Sequence, residues 1–261
     1  MTDTFDIALI DTHNLYARYK YTLSWMRRES DGRHTGGLFG FFKHVDNIRQ
    51  KRGALPVLAI ENGGRDVRLA LDENYKADRK NDEPFFVEDD HSLIMEWARH
   101  SGYGVLIAEG TEADDTIANM CEKSSCSILI VSNDHDFHAL LSIDGVAIEK
   151  QRGEIMRRLD FVDKHGYDPS MYRDILAIAG DSSDNIAGVK GIGPKTAARM
   201  LQDNGSLDLA LINEDRLKGH EEMIRRNRIL VQPLECDVRM DISERCQEEI
   251  DRMYKELEFN L

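Results

Sequence analysis

Four short apolar runs recur through the first half of the chain, and each contains β-branched residues. They are FDIALI (5–10), PVLAI (56–60), YGVLIA (103–108) and SILIV (127–131). Continuous apolar runs of this length are typical of strands that are buried on both faces, as in a parallel sheet. We therefore predict four buried strands.

Helical patterns separate these strands. Apolar residues recur at three- and four-residue spacing in GGLFGFFKHVDNIRQK (36–51), DDHSLIMEWARHS (89–101) and DDTIANMCEK (114–123). This spacing places the apolar side chains on one face of a helix. The alternation of strands and helices predicts an α/β fold around a central, mostly parallel sheet.

The pattern changes near residue 169, where short helical segments broken by glycine follow and no strand is predicted. We predict an α/β domain over 1–168 and a smaller helical module over 169–225. Residues 226–261 are expected to pack back on the first domain.

Acidic residues follow all four predicted strands, and a further pair lies in GDSSDN (180–185). Taken singly, several have structural interpretations: Thr111 and Asp114 match a capping box, and Asp134 suits a helix start. The carboxyl ends of parallel strands, however, meet at one edge of a sheet. We therefore expect nine carboxylates at this edge: Asp11, Glu61, Glu112, Asp114, Asp115, Asp134, Asp136, Asp181 and Asp184.

Nine clustered carboxylates need cations. One pair of carboxylates about 4 Å apart costs roughly 4 kcal/mol at an effective dielectric constant of about 20. Oxygen-only ligands favour Mg²⁺ or Mn²⁺, and two such ions can hold the attacking and leaving oxygens of a phosphodiester. We interpret His135 and His138 as core or surface residues rather than zinc ligands, and the four cysteines as reduced thiols.

The net charge of −14 taken alone argues against nucleic-acid binding. Setting the nine carboxylates aside changes the net charge from −14 to −5, so the remaining surface is only mildly acidic. No apolar run reaches the roughly 18 residues of a membrane span, and the N-terminus lacks a signal-peptide pattern. These features predict a soluble cytoplasmic protein without a membrane partner.

Two segments supply positive charge. ENYKADRK (73–80) is either a solvated face or a source of cations for a phosphate near the metals. GVKGIGPK (188–195) combines glycine turns, a proline suited to the first helical position and two lysines. Its helix-start amides and lysines predict a phosphate site that recognises shape rather than base sequence.

Five motifs lie in a fixed order between residues 9 and 201: LIDTHN, YKADR, GTEADD, SNDHDF and GDSSDNIAGVKGIGPKTAARML. MIRRNRILVQPLECDV (223–238) follows them. In these motifs the chain resembles the 5′-nuclease superfamily, which includes 5′–3′ exonucleases and flap endonucleases of phages and the 5′-nuclease domain of DNA polymerase I. The resemblance implies a PIN-like domain, a helix-three-turn-helix (helix-hairpin-helix) DNA-binding module, and a helical arch at about 76–102.

The resemblance also implies roles for single residues. Lys76 and Arg79 would be the catalytic cations at the scissile phosphate. One metal would be held by Asp11, Glu61, Glu112, Asp114 and Asp115, and the other by Asp134, Asp136, Asp181 and Asp184. Glu61 stands where the family usually has aspartate, and Thr12 where it usually has glycine.

DNA contacts follow from the same resemblance. A potassium ion would bind backbone carbonyls of the hairpin at Val189 and Ile192, and Tyr16 or Tyr75 would stack on a base. The expected DNA-binding residues are Tyr75, Lys80, Gly188, Lys190, Gly191, Gly193, Lys195 and Thr196. The arch carries Glu83, Glu88, Asp89 and Asp90, and is therefore less basic than a segment that threads DNA.

The function predicted from these features is a divalent-metal-dependent 5′–3′ exonuclease and flap endonuclease in DNA replication or repair. Its substrates would be DNA with 5′ flaps, 5′ ends or nicks, in a bacterial or phage-infected cell. A monomer working beside single-strand-binding or polymerase proteins is expected. Two alternatives stay open: an RNase H-like enzyme that removes RNA primers, and a catalytically silent junction-binding protein. A plain PIN-type RNase is disfavoured by the hairpin at 188–195.

Overall fold

The computed structural model of the chain describes residues 3–61, 63–77, 86–87 and 89–259, with position 152 described by its backbone alone. The first half is built around a seven-stranded sheet. Its strands are β1 (Ile7–Asp11), β2 (Leu55–Ala59), β3 (Gly104–Ile107), β4 (Ile128–Val131), β5 (Val146–Glu149) and β6 (Ile155–Met156), with β9 (Arg239–Ile242) from the C-terminal segment. A separate pair is formed by β7 (Gly180–Asp181) and β8 (Ile186–Ala187).

The order of strands in the large sheet is β6-β5-β4-β1-β2-β3-β9. The five central strands run parallel, and the two edge strands are antiparallel to their neighbours. In the register of β1, Asp11 pairs with Ala59 of β2, and Ile10 pairs with Val131 of β4. The carboxyl ends of the central strands therefore meet at one edge, as the sequence predicts.

Eleven α-helices are present among the described residues. They are α1 (Thr12–Thr22), α2 (Gly36–Arg52), α3 (Asp66–Leu71), α4 (Asp90–His100), α5 (Ala113–Lys123), α6 (Arg158–His165), α7 (Tyr172–Ala179), α8 (Pro194–Asn204), α9 (Leu207–Asn213), α10 (Glu221–Leu230) and α11 (Gln247–Glu256). Short 3₁₀ turns occupy Asp136–Ser142, Gln151–Gly153, Pro169–Met171 and Asp215–Leu217.

The helices cover the two faces of the sheet separately. Alternate residues of a strand point to opposite faces, so Ala8 and Ile10 belong to one core and Ile7 and Leu9 to the other. The first core is closed by α1, α2, α4 and α11. The second is closed by α5, α6 and the helices of the module that begins at α7. The predicted α/β fold class with a helical module is confirmed.

The chain after residue 169 corrects one expectation. No strand was predicted after residue 169, yet β7 and β8 form a short ladder and β9 pairs antiparallel with β3. All four residues of β9 are exposed, so its strand conformation comes from pairing with β3 and not from an apolar pattern. Helix α11 of the C-terminal segment packs against α4, where Trp97 Nε1 donates to the Tyr254 hydroxyl and the Trp97 ring stacks on Phe42 with centroids 4.2 Å apart. Within the described part of the chain, no helix is long and apolar enough to cross a membrane.

Candidate active site

The carboxyl edge of the sheet gathers the predicted acids. Asp11 is the last residue of β1 and caps α1, since its Oδ1 accepts the Asn14 backbone N–H at 3.1 Å. Its Oδ2 accepts from the Ser132 hydroxyl at 2.7 Å, which ties the end of β1 to the end of β4. Glu61 follows β2, and Arg65 donates to it at 3.2 Å. One hydrogen bond between neighbouring strand ends and two local hydrogen bonds therefore orient Asp11 and Glu61 at this edge.

Two groups of three carboxylates lie within this region. Asp114, Asp134 and Asp136 each offer an oxygen, and all three oxygens lie within 4.8 Å of one another. Asp136, Asp181 and Asp184 form a second group of the same kind, so Asp136 belongs to both. Beside them lies a cavity of about 230 Å³ lined by Asp11, Glu61, Lys76, Glu112, Asp114 and Asp134, among others.

The electrostatics of these groups favour a bound cation. Burial raises the pKa of Asp114 well above its usual value, and the neighbouring Asp11 and Asp134 raise it further. Burial and nearby carboxylates do the same for Asp136. Burial likewise raises the pKa of Asp11 to about 6, although Ser132 and Asn14 donate hydrogen bonds to it. Oxygen donors crowded in this way fit hard divalent cations such as Mg²⁺ or Mn²⁺.

Glu112 and Asp115 are held differently. Glu112 Oε1 accepts from Lys76 Nζ at 2.7 Å, and its Oε2 accepts from Arg68 Nη1 at 2.6 Å. Both oxygens of Asp115 accept from Arg68, at 2.7 and 3.0 Å, and Oδ1 also accepts the Leu234 backbone N–H at 2.9 Å. Although burial opposes it, Lys76 and Arg68 hold the pKa of Glu112 below its ordinary value. Metal ligation by this pair stays a prediction.

Lys76 lies between Glu112 and Asp184 and contacts both. Its backbone N–H donates to the Asp184 carbonyl at 3.0 Å, and its Nζ lies 3.8 Å from Asp184 Oδ2. The side chain is buried, and φ is 53°, in the left-handed region that non-glycine residues rarely adopt. Such strain of about 1–3 kcal/mol persists where the surroundings fix the backbone, and it is common at functional sites.

Glycines bring the last two carboxylates into place. A Cβ at Gly188 would lie 2.0 Å from the Ala179 backbone, and one at Gly180 would lie 2.4 Å from the Gly188 nitrogen. The β7–β8 ladder can therefore form only with glycine at both positions. This ladder carries Asp181 and the turn that contains Asp184.

The hairpin after β8 has a buried base and a charged tip. Val189 and Ile192 are buried, and the Val189 N–H donates to the Ile178 carbonyl at 2.8 Å. Lys190 and Lys195 are exposed on either side of the start of α8 at Pro194. Arg216, which the sequence did not single out, donates from Nη2 to the Gly191 carbonyl at 2.9 Å and adds a third cation.

Comparison with known proteins identifies the family. Residues 6–166 match the N-terminal resolvase-like domain of 5′-3′ exonucleases, and residues 167–252 match their C-terminal SAM fold. The chain belongs to the 5′-3′ exonuclease family. This confirms the predicted superfamily of hydrolytic nucleases.

Individual relatives of this 5′-3′ exonuclease family member point to the same family. The chain is 33% identical over 228 residues to the thermostable DNA polymerase I of Thermus filiformis, covering 84% of this chain and 27% of that protein. It is 30% identical over 194 residues to a 5′-3′ exonuclease of Aquifex aeolicus, covering 72% and 66%. The chain thus spans about a quarter of the polymerase that it matches.

A solved structure shares the fold. It is the flap endonuclease of bacteriophage T5 in a pseudo-enzyme-product complex with DNA and metal ions, with a TM-score of 0.69 and 23% identity. The match covers 87% of this chain and 88% of the other.

Several predicted positions of this family member lie outside the described residues. These are Arg79, Lys80, Glu83 and Glu88. Of the predicted arch at 76–102, the structure describes chiefly α4. Asp90 at its start accepts from the Tyr16 hydroxyl at 2.6 Å and from Arg33 at 2.7 Å. This acid of the arch is therefore paired within the protein.

The aromatic candidates are both buried. The Tyr16 ring has no exposed surface and Tyr75 is 4% exposed, and the Tyr75 hydroxyl donates to Glu112 at 3.2 Å. Stacking on a base by either stays a prediction. Tyr21 and Trp25, which the sequence did not single out, are 73% and 74% exposed.

Arg68 is the main functional candidate that sequence reasoning missed. In RDVRLAL it looks like an ordinary surface residue of a short amphipathic helix. Only the folded chain shows that it is buried against two acids and the Leu230 and Gln232 carbonyls. His138 is also buried, between the rings of Phe161 and Tyr172, and burial lowers its pKa to about 3. All four cysteines are free thiols.

Proposed function

We propose that this chain is a divalent-metal-dependent 5′–3′ exonuclease and flap endonuclease that hydrolyses DNA near 5′ ends and single-strand/duplex junctions. The observation that carries the proposal is the pair of carboxylate groups sharing Asp136, with Lys76 buried beside them. Membership in the 5′-3′ exonuclease family supports it, as does the fold shared with a flap endonuclease solved with DNA and metal ions.

We propose the two groups of carboxylates as the metal ligands. Asp114, Asp134 and Asp136 would hold one Mg²⁺ or Mn²⁺ ion, and Asp136, Asp181 and Asp184 a second. When bound, such ions supply an activated water molecule and stabilise negative charge on the phosphate oxygens. Asp11 would orient this set through Ser132, whose hydroxyl also accepts the Asp134 backbone N–H at 3.0 Å.

Lys76 would bind the scissile phosphate. Its ammonium group lies at the cavity that the carboxylates line, and Glu112 fixes its position. A buried cation stabilises charge on a phosphate more strongly than an exposed one, because little water screens it. Arg79, three residues further along, would share this role.

The hairpin would hold the duplex. The exposed Lys190 and Lys195, with the first amides of α8, suit a phosphate of the backbone. Carbonyls at Val189 and Ile192 would bind K⁺, with Gly188, Gly191, Gly193 and Thr196 approaching the DNA closely. A monomer acting on 5′ flaps, 5′ ends or nicks is the form we propose.

Cleavage of a 5′-flap DNA, labelled separately at each end, tests the function. With Mg²⁺ we expect a cut within a nucleotide or two of the junction, and with EDTA none. Mononucleotide products alone would narrow the function to an end-processing exonuclease. Tight binding without cutting would refute the nuclease in favour of a junction-binding protein. Faster cutting of an RNA-primed 5′ end would favour primer removal.

A further inference from the structure

Strand β9 forms an open edge of the large sheet. It is the last strand in the order, so β3 pairs with one side of it and no described residue pairs with the other. The opposite edge ends in β6, which is two residues long. Proteins commonly shorten or cover their sheet edges, because unpaired backbone N–H and C=O groups attract other strands. β9 is longer, with four residues, and all four are exposed.

One face of β9 is apolar. Met240 and Ile242 lie opposite Leu106 and Gly104 of β3, on the face of the sheet that α5 covers. Their exposed fractions are 41% and 47%, which is high for large apolar side chains. A Cβ at Gly104 would lie 3.2 Å from Met240 Sδ, so this side chain lies against β3. A strand added beside β9 would extend this apolar face.

The other face of β9 carries two opposite charges, Arg239 and Asp241. Arg239 Nη2 lies 3.9 Å from Asp237 Oδ2, but the two side chains are 82% and 89% exposed, so this ion pair is weak. No salt bridge to Asp241 forms among the residues that the structure describes. Both charges are therefore available to an added strand.

The sequence around β9 is complementary to itself in the antiparallel direction. In VRMDI (238–242), Met240 is central, a charged residue flanks it on each side, and an apolar residue lies beyond each charge. When a second copy is placed antiparallel about Met240, Arg239 lies opposite Asp241 of that copy, and the pair occurs twice by symmetry. Val238 then lies opposite Ile242. Opposite charges placed directly across two strands stabilise their pairing.

The charges also select this register. An antiparallel pair centred on Arg239 would place two arginines opposite each other, and one centred on Asp241 would place two aspartates opposite each other. Like charges directly across two strands are destabilising. A slip by a single residue would place charged side chains on the apolar face. The arrangement centred on Met240 avoids both penalties.

We propose that β9 is a contact between two copies of this chain, which pair antiparallel about Met240 and join their two seven-stranded sheets. This inference goes beyond the proposed function and does not depend on it. The contact lies at the side of the sheet, so both acidic edges stay uncovered. A short strand pair is a small interface, which is typical of transient complexes, and we expect a dissociation constant of about 10–1,000 μM. In a dilute cleavage assay the chain is then the monomer proposed above.

Sedimentation equilibrium of charge-reversal variants tests the contact. It is done at about 0.15 M salt, where the Debye length of about 8 Å screens repulsion between whole chains. Arg239→Asp and Asp241→Arg each replace two attractive pairs by two repulsive ones, so each should raise the dissociation constant about 10-fold or more. The double variant Arg239→Asp/Asp241→Arg restores opposite charges and should dimerise like the wild type. An equimolar mixture of the two single variants should form a heterodimer, because each chain then offers the charge that the other lacks.

Lys255→Asp is the matched control, since it makes the same change of charge as Arg239→Asp at an exposed position of α11. It should dimerise like the wild type. Asp241→Arg separates the contact from general repulsion, because it changes the net charge from −14 to −14 + 2 = −12. General repulsion alone would make that variant associate more tightly, whereas the β9 contact makes it associate more weakly.

A wild type that stays monomeric up to about 1 mM would overturn the inference. So would equal weakening by Lys255→Asp and Arg239→Asp, or a double variant that does not recover. Amide hydrogen exchange gives an independent readout: residues 239–242 should exchange more slowly at high than at low wild-type concentration, and no such difference would also refute the contact. Dilute cleavage assays should show wild-type rates for every variant, so loss of dimerisation and failure of the proposed nuclease are distinguishable.

Discussion

The three acids of one short motif have opposite surroundings. In GTEADD, Asp114 faces the carboxylates Asp134 and Asp136, and no salt bridge to any of these three forms among the described residues. Glu112 and Asp115 instead contact Lys76 and Arg68. The pKa of Asp114 is raised and that of Glu112 is lowered. One set is left to be neutralised by an added cation, while the protein itself neutralises the other.

The difference follows from helix geometry. α5 begins at Ala113, so Asp114 and Asp115 point about 100° apart around its axis. Asp115 points toward α3 and contacts Arg68 there, whereas Asp114 points toward Asp134 and Asp136, which follow β4. Adjacent identical residues thus acquire a structural role and a proposed metal-binding role. The predictions below test this division.

The largest effect should follow removal of the shared carboxylate. Asp136→Asn is expected to slow cleavage about 10⁴-fold or more, because one charge-stabilising group is worth about 10²–10³ and this one serves both groups. It should also abolish the rise in melting temperature that Mg²⁺ or Mn²⁺ causes by binding the folded state. Single-turnover cleavage and thermal melting measure the two effects. A variant that keeps both would show that Asp136 is not a shared ligand.

Removing the cation that neutralises Glu112 and Asp115 should lower the free energy of unfolding. Arg68→Met leaves Glu112 and Asp115 buried with fewer cations, which is expected to cost about 3–5 kcal/mol of unfolding free energy. Urea denaturation in EDTA measures this loss of unfolding free energy. Adding Asp115→Asn to Arg68→Met should recover part of the loss, and strict additivity of the two changes would contradict the pairing.

Lys76 contacts Glu112 and lies beside Asp184. Its removal should affect the rate of cleavage more than the affinity for DNA. Lys76→Ala is expected to lower kcat about 10²–10³-fold, because a buried cation beside the phosphate is lost. Affinity for a junction DNA in EDTA should change less than about threefold, since the hairpin lysines remain. Lys76→Arg serves as the control that keeps the charge. Unchanged kcat in Lys76→Ala would remove this residue from the site.

The parts of this molecule that the sequence predicts are those set by local rules. Continuous apolar runs with β-branched residues locate the four strands. Parallel strands end at one edge of the sheet, which places Asp11 and Asp134 together. Glycine spacing in GDSSDNIAGVKGIG likewise indicates tight turns. Each inference needs only neighbouring residues and general geometry.

The parts that the sequence does not predict depend on distant contacts. Arg68 is buried because α10 and α5 pack around it, and nothing near it in sequence shows that. β9 is a strand because β3 has an open edge, although its own residues are exposed. The division between Asp114 and Asp115 requires knowing which helix faces which partner.

The smallest effect gives the sharpest comparison, because it uses the same substitution at adjacent positions. In EDTA, Asp114→Asn should stabilise the protein by about 1–2 kcal/mol, since it removes a carboxylate that burial and like charges disfavour. Asp115→Asn should destabilise it by a similar or larger amount, because Arg68 loses a charged partner. Urea denaturation at pH 7 measures both.

Proton linkage adds a second readout to this pair. A carboxyl whose pKa is raised on folding binds a proton more readily in the folded state, so its contribution to stability falls as pH rises. Wild type in EDTA should therefore lose stability relative to Asp114→Asn as the pH rises above about 4, the ordinary pKa of an aspartate. If both substitutions shifted stability in the same direction at pH 7, the two acids would share one environment and the division would be wrong.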